Sequence, residues 1–432
     1  MPDPVILNFD YIGKPEESFY LKEKIGRFWK KDHLTTKINE IESFISKMND
    51  DIAENKPVII FIAVRQGNFP SIEYIAQGLQ TDYSILTYGI YLDSFAPENI
   101  YKSTLTCDFS LAVFSEIIYR LPPITIYLQA HASWSFLSQL IKVLNPGLKI
   151  FQEVYDWMEA FIQNPELFAR EGVFSTEEIK LMHQSEHFIK NNINGYLYKD
   201  GGEWMEKTVS ESSVRSMQIL PSPPKKWMKT PITRALDKEI CLAYAGQISH
   251  KDSSALAFGD IYYMPIVRTL TGQNLKLTLY QSVQHSRCHP KELYKEYYDE
   301  AKINPLFEFK KGIPMPAIIN ALHGNYDFGL MLFRFEKNLA VGEQHLKGTM
   351  ASKLFTYIAS GLPVIISEEL EYMADFVHDT GVGIVCSQSD ITNLEGILRN
   401  SNYTSLINNV HRAQNEYCID ILLPEINDLL NS

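Results

Sequence analysis

The sequence predicts an α/β protein of two doubly wound parallel sheets in series, facing each other across a cleft, with a helical elaboration at the N-terminus. Three observations carry that prediction. The chain has 432 residues, more than a single hydrophobic core comfortably organises. Short apolar runs alternate with amphipathic ones from residue 57 and again from residue 240, the pattern of parallel strands covered by helices on both faces. Between the two series, LPSPPKKWMKTP (220–231) carries four prolines and little apolar content, which separates one domain from the next.

Residues 1–55 read as the elaboration, with a polar helix over about 34–54 that places Ile38, Ile41, Phe44 and Ile45 at helical spacing. The first domain, 56–222, opens with PVIIFIAV (57–64) as a strand, RQGNFP as a loop and SIEYIAQGLQ as a helix. SILTYGIYL (84–92), LAVFS (111–115), ITIYLQAH (124–131) and LKIFQEVYD (148–156) follow as further strands, with SWSFLSQLIKVL (133–144) helical between two of them. A linker spans 223–239. In the second domain, 240–405, the strands are ICLAYAG (240–246), LKLTLYQS (275–282), LFEFKKG (306–312), FGLMLFR (328–334), LPVIIS (362–367) and VGIVC (382–386). Residues 406–432 form a terminal helix with a proline interruption.

The stretch KLFTYIASGLPVIIS (353–367) runs from a helix through one glycine into a buried strand. Thr349 is positioned to cap the helix, Leu354, Tyr357 and Ile358 share a face, and Gly361 supplies a left-handed stop before Pro363 opens the strand. A helix that starts in the loop after a strand presents unpaired N–H groups and a partial positive charge, so it attracts anions. Lys353 adds a full charge to that end, although a solvated helix lysine has the same local signature.

Composition excludes several classes. The five cysteines are scattered without a CxxC pair, which fits a reducing, cytoplasmic setting and no zinc site or disulfide framework. A net charge of −12 opposes broad binding to nucleic-acid backbone. No apolar run reaches the roughly 20 residues of a membrane span. GRFWKKDH (26–33) and PPKKWMK (223–229) have the composition of interfacial anchors, for peripheral contact at the inner membrane face, but both are short, and core tryptophans flanked by solvated lysines explain them as well. HQSEHF (183–188) has two histidines four apart without a further ligand, and QHSRCHP (284–289) groups His285, Cys288 and His289 in a loop; neither reads as a metal site. VRQGNFPS has a single glycine and is no P-loop, and Arg65 beside it stands at the mouth of the expected cleft.

Taken together, AGQISHK, LYQS, KKGIP, YDFGLMLF and KLFTYIASGLPVI, in this order over roughly 240–390, resemble the nucleotide-sugar domain of the GT-B glycosyltransferases, which carry two Rossmann-like domains. The likeness is to their large retaining branch, whose motifs include "DhGLhPh" and "KLFEYhAxGhPVI". The first half resembles the acceptor domain of the same enzymes more loosely, through RQGNFPSIEYIAQGL, LQAHASWSF and QEVYDWMEAF. The resemblance implies retaining, metal-independent transfer of a sugar from a nucleotide-sugar donor to a glycan, lipid-linked or protein acceptor. It implies no cofactor beyond the donor, and a terminal helix that crosses back to the first domain.

It also assigns roles. Lys251, Thr349, Ser352 and Lys353 would hold the donor phosphates. Gly246, Gln247, Lys311, Gly312, Arg334 and Thr356 would contact the nucleoside or sugar, and His131 and Asp156, each just past a strand, would be the catalytic residues in the acceptor domain. Two positions depart from the pattern: Thr356 stands where the family carries a glutamate on the ribose hydroxyls, and Gln247 where an arginine helps neutralise the phosphates. Arg334, Lys311 and His250 are available to compensate. The departures keep a second reading open, a catalytically degenerate binding or scaffold subunit of the same fold. A sugar-nucleotide epimerase shares the architecture but needs cleft carboxylates that the sequence does not single out.

Overall fold

The computed structural model describes residues 15–65, 71–236, 238–251, 261–283, 286, 289–333, 335 and 340–432. The chain divides into two compact units. Unit 1 comprises Met1–Lys199, Glu206–Ile219 and Leu422–Ser432, and unit 2 comprises Asp200–Met205 and Leu220–Ile421. The segment 223–239, read as a linker, falls within unit 2.

Unit 1 is built on a parallel sheet of seven strands: β1 (Val58–Ala63), β2 (Leu86–Tyr91), β3 (Ser103–Thr106), β4 (Thr125–Gln129), β5 (Lys149–Val154), β6 (Gly195–Tyr198) and β7 (Arg215–Gln218), in the order β3-β2-β1-β4-β5-β6-β7. The central strands are buried along nearly their whole length, as a sheet covered on both faces requires. Strand order reverses between β1 and β4, so the residues just past their carboxyl ends flank the crevice that such sheets use for ligands.

Two expectations for this unit are corrected. LAVFS is not a strand: Leu111–Arg120 is a helix, whose first turn Ser110 caps by accepting the Val113 N–H at 3.3 Å. All of Leu111–Ile118 is buried, so the run lost its helical periodicity and read as a short apolar strand. The strand on that side is the polar STLT of β3, and β6 and β7 were likewise not among the runs read as strands.

The N-terminal elaboration is two helices, Pro15–Arg27 and Lys31–Ala53. The second buries Ile41, Phe44, Met48 and Asp51 at spacings of three and four, while Ile38 and Ile45 stay half-buried. Phe44 packs edge-on against Tyr88 of β2 at 5.4 Å. Asp51 fastens the same helix to the sheet: its carboxylate accepts from the Tyr88 hydroxyl at 2.5 Å, from Lys56 at 3.2 Å and from Lys102. At the other end of the chain, the Ile419–Asn431 helix contains Pro424, and its last turns belong to unit 1. There the Thr125 hydroxyl donates to the Leu430 carbonyl at 3.4 Å and Lys149 to the Ser432 carbonyl at 3.2 Å.

Unit 2 is a six-stranded parallel sheet: β8 (Cys241–Gly246), β9 (Lys276–Gln281), β10 (Phe307–Lys310), β11 (Phe328–Met331), β12 (Val364–Ser367) and β13 (Gly383–Cys386), in the order β10-β9-β8-β11-β12-β13. All six lie within the runs read as strands. Successive residues serve opposite faces: Leu242, Tyr244, Leu330 and Ile365 join one hydrophobic cluster, and Ala243, Met331, Val364 and Ile366 the other. The order reverses between β8 and β11, which places the ligand crevice of this sheet there.

The Asp51 carboxylate is buried, which opposes its charge, but the hydrogen bonds from Lys102, Tyr88 and Lys56 outweigh burial and hold its pKa down at about 2. A depressed carboxylate stabilises the fold above its unfolded pKa and loses that contribution as pH falls through the folded value. Asp51→Asn is therefore expected to lower unfolding free energy by on the order of 2 kcal/mol at pH 7, with the gap between variant and parent closing as the pH is lowered from about 4 to about 2. Urea unfolding curves across that range check both the size and the sign.

Candidate functional site

At the switch point of unit 2, β8 and β11 pair only at Leu242–Phe328 and Ala243–Gly329 before they part. The side chain that occupies the gap is Tyr357, fully buried on the Ser352–Ala359 helix. Its hydroxyl accepts the Ala245 N–H at 2.9 Å and donates to the Leu330 carbonyl at 3.2 Å, so one phenol joins the two diverging strands. Gly329 is glycine because any Cβ there would overlap the Tyr357 ring. The following turn obeys the sequence reading, with Gly361 at φ +78° and no room for a side chain against Lys229 and Pro231.

Lys353 lies one turn before Tyr357 on the same helix face. Its ammonium rests 5.3 Å from the centre of the Tyr244 ring and 5.2 Å from that of Phe333, and it donates to the Tyr244 hydroxyl at 3.5 Å. The stem passes Gly246 so closely that a Cβ there would stand 2.7 Å from Lys353 Cδ. Gly246 is thus the opening through which the lysine reaches the carboxyl edge of β8. Tyr244 in turn donates to the Gln247 carbonyl at 2.5 Å, which ties the first residue beyond β8 to the same group. The Gln247 side chain is exposed.

The helix start departs from expectation. Thr349 does not cap it but closes the preceding Glu343–Gly348 helix in an extended conformation, and Ala351 is the N-cap, without a side-chain bond. The approach is held instead by unit 2's own short segment: Gly201 N–H donates to the Gly348 carbonyl at 2.8 Å and Met350 N–H to Asp200 Oδ1 at 3.2 Å. Thr356 is half-buried, and its hydroxyl donates to the Ser352 carbonyl at 3.0 Å, back along the helix. Ser352 and Lys353 occupy the first turn, whose N–H groups lie at the positive end of the helix dipole.

Of the remaining residues assigned to this edge, Lys311 is exposed just past β10, and Gly312 sits where a Cβ would come within 2.5 Å of the Gln281 carbonyl and the Val283 nitrogen. Lys251 is exposed, with its N–H donating to Glu296 Oε1 at 3.0 Å. His250 packs its ring 5.5 Å from Tyr294. Arg334, His285 and Cys288 lie outside the described residues. Sequence reading missed the rings of Tyr244 and Phe333, because both read as strand core. It also missed Glu369, just past β12, which is half-buried, has one oxygen sealed from solvent without a hydrogen bond, and is pushed above the usual carboxyl range by burial.

Unit 1 assembles a different group at its carboxyl edge. His131 follows β4 and Asp156 follows β5, as read from the sequence. Lys199, past β6, was missed because GYLY is a short strand ahead of the KDGG loop. Lys199 is buried, pairs with Asp156 at 3.0 Å and lies 4.6 Å from the centre of the Tyr155 ring. Burial holds the His131 imidazole below its usual range; Asp156 opposes that shift, while the charges of Lys199 and Arg65 reinforce it. His131 is therefore a neutral imidazole at neutral pH, able to accept a proton, beside an ion pair.

Similarity to solved structures covers both units. The chain is similar to Anabaena HepE, crystallised with UDP-glucose, at a TM-score of 0.58 and 10% identity, over 87% of this chain and 99% of that one. It is similar to α,α-trehalose 6-phosphate synthase from Burkholderia multivorans at 0.53 and 8%, over 87% and 98%. The corresponding figures for an O-GlcNAc transferase mutant from Thermobaculum terrenum are 0.51 and 10%, over 86% and 66%. The chain has the GT-B glycosyltransferase fold. Within it, residues 270–417 match the family model described as glucosyltransferase 3-like, C-terminal domain, a segment that holds β9 to β13 and the helix of Lys353 and Tyr357. No curated protein sequence matches the chain. Among the described residues, no helix is long and apolar enough to cross a membrane.

Tyr357→Phe keeps the ring and removes the hydroxyl that serves Ala245 and Leu330. Leaving the buried Leu330 carbonyl and the half-buried Ala245 N–H without that partner is expected to cost about 1–3 kcal/mol. Thermal melts should register the loss, and exchange of the Ala245 amide hydrogen should accelerate relative to that of β12 amides.

Proposed function

We propose that the chain is a glycosyltransferase that moves a sugar from a nucleotide-sugar donor to a glycan, lipid-linked or protein acceptor, with retention and without a metal. One observation carries the reading: a lysine ammonium, a helix N-terminus and a glycine-lined strand end meet at the switch point of unit 2, and the lysine's helix lies inside the segment that matches the glucosyltransferase 3-like model. The leaving group of such a transfer is a nucleoside diphosphate. As the bond from the anomeric carbon to the β-phosphate oxygen breaks, negative charge grows on the phosphate. Preorganised donors in a partly desolvated site stabilise that charge best. Lys353, Ser352 and the first-turn amides are such donors, with Thr349 and Lys251 in flanking loops. Gly246, Gln247, Lys311, Gly312 and Arg334 are the proposed nucleoside and sugar contacts.

In unit 1 the proposed catalytic residues are His131 and Asp156. For retention, the acceptor oxygen bonds to the anomeric carbon on the same face that the diphosphate leaves, and its proton must leave. A neutral imidazole accepts that proton, and the Asp156–Lys199 pair sets the field around it. We further propose that the transfer takes place on the cytoplasmic side, with peripheral membrane contact where the acceptor is lipid-linked. A second reading, a binding or scaffold subunit, draws support from Thr356: its hydroxyl already donates to the Ser352 carbonyl, and it cannot bridge two ribose hydroxyls as a carboxylate does.

Calorimetry with UDP and a panel of nucleotide sugars, paired with a turnover or donor-hydrolysis assay, tests the proposal. Lys353→Ala is expected to weaken nucleotide binding by about 1.5–3 kcal/mol, the range for a charged hydrogen bond. Turnover should persist in EDTA. Unchanged affinity in Lys353→Ala would return the lysine to a solvated helix residue. Collapse of activity in EDTA with recovery in manganese would overturn metal independence, and binding without turnover across many acceptors would favour the subunit reading.

A further inference from the structure

The Thr176–Asn192 helix of unit 1 contains HQSEHF, the motif whose two histidines have no further ligand in the sequence. The structure separates them: His187 is exposed, whereas His183 is half-buried on the face that also presents Glu186 and Lys190. That face meets the single helical turn Met158–Phe161, which begins two residues after Asp156. A helix start leaves N–H groups without partners, and the residue at its cap, Trp157, supplies no side-chain bond. Glu186, completely buried, supplies both bonds from the other helix: one carboxylate oxygen accepts the Met158 N–H and the other the Glu159 N–H at 2.9 Å.

The neighbours of Glu186 grip the same turn. His183 makes a hydrogen bond to the Met158 backbone. Lys190 donates to the Glu159 carboxylate at 2.9 Å and lies 5.9 Å from the centre of the Trp157 ring. That ring is fully buried and stands edge-on to Tyr196 of β6 at 5.5 Å. The three residues that follow Asp156 are thus each held by a side chain of one helix, itself fixed at its start by a capping box between Ser175 and Glu178. Burying a carboxyl group is costly, and a Ser or Asp at position 157 would cap the turn without that cost. A local cap, however, would not fix the turn relative to the helix, and Glu186 does.

We propose that Glu186 is a positioning residue for the reaction: by holding the amides of Met158 and Glu159 it fixes Asp156, and with it the Asp156–Lys199 pair. The role rests on the transferase reading, in which Asp156 acts. It also makes the positioning dependent on pH. Burial and the charge of Glu159 push the Glu186 carboxyl up to about 8, against the pull of the two amides and of Lys190. His183 is held below its usual range by burial and stays neutral. The Leu137–Leu144 helix meets this helix through Gln139, which accepts from Ser185 at 3.3 Å, and Lys24 of the Pro15–Arg27 helix pairs two turns earlier with Glu178 at 3.0 Å. A carboxylate accepts on both oxygens, whereas a protonated carboxyl turns one of them into a donor. Both amides are therefore held fully only in the ionised form, and the turn tightens as pH rises.

The test follows the amide signals of Met158 and Glu159 in the full chain by NMR as pH is raised from about 6 to about 10, alongside turnover of nucleotide sugars from the same panel. Both amides are expected to shift with one midpoint at about 8, and kcat to rise through that midpoint with the donor KM unchanged. Glu186→Gln keeps one acceptor and cannot ionise. It should abolish the shift and, at about pH 9, give a kcat about three- to tenfold below the parent's at the same KM. Glu159→Gln changes a half-buried side chain, so it serves if Glu186→Gln does not fold; it should move the midpoint down, because it removes a charge that opposes ionisation. The proposal is overturned if the amides show no step, if the step survives in Glu186→Gln, if Glu159→Gln leaves the midpoint unmoved, or if Glu186→Gln turns over like the parent across the range. Absence of turnover with every nucleotide sugar would refute the transferase reading and the positioning role with it, and an amide step would then leave only the grip of Glu186 on the turn.

Discussion

The hydroxyl of Tyr357 is the contact on which the geometry of unit 2's edge depends. Parallel strands on either side of a switch point must diverge, and divergence leaves backbone groups without a ladder partner. Here Ala245 N–H and the Leu330 carbonyl find the phenol instead. Since the phenol belongs to the Ser352–Ala359 helix, the bond that closes the sheet also seats that helix against the diverging strands. Lys353, one turn earlier, is thereby aimed past Gly246 and onto the rings of Tyr244 and Phe333.

Resting against those rings has a consequence for the lysine. A cation over an aromatic face is attracted by roughly 0.5–2 kcal/mol, rising as the pair is desolvated, which is comparable to or below what a charged hydrogen bond to an anion contributes. The ammonium is therefore stored close to the strand end without being bound so well that an anion could not draw it away. The two carboxyl edges differ in kind. Unit 2 gathers positive charge and amide donors, whereas unit 1 sets a neutral imidazole beside an ion pair of the buried Lys199 and the half-buried Asp156. The first arrangement suits a leaving phosphate, and the second suits proton transfer near hydroxyls.

Much of the fold was legible in the residues because buried parallel strands leave a strong local signal. Every strand of unit 2 fell within a predicted run, and Gly361 adopted the left-handed turn that its place between helix and Pro363 required. Where the signal failed, the cause was tertiary. LAVFS is buried on every side, so nothing in its pattern separated helix from strand, and STLT is a polar edge strand with little apolar content. Thr349 looked like a cap by spacing, yet the contacts of Gly201 and Asp200 with the loop, remote in sequence, determine where the helix starts. His131 and Asp156 were readable as residues just past strands. Lys199 was not, because its role depends on β6 lying beside β5, a pairing that no local pattern encodes.

A crystal structure of the chain grown with UDP addresses the site most directly. The diphosphate is expected at the start of the Ser352–Ala359 helix, within hydrogen-bond distance of Lys353 Nζ and the first-turn amides, with the ammonium drawn off the Tyr244 hydroxyl. Nucleotide density elsewhere on the molecule, or a Lys353 side chain still seated on Tyr244 and Phe333 with UDP bound, would contradict it.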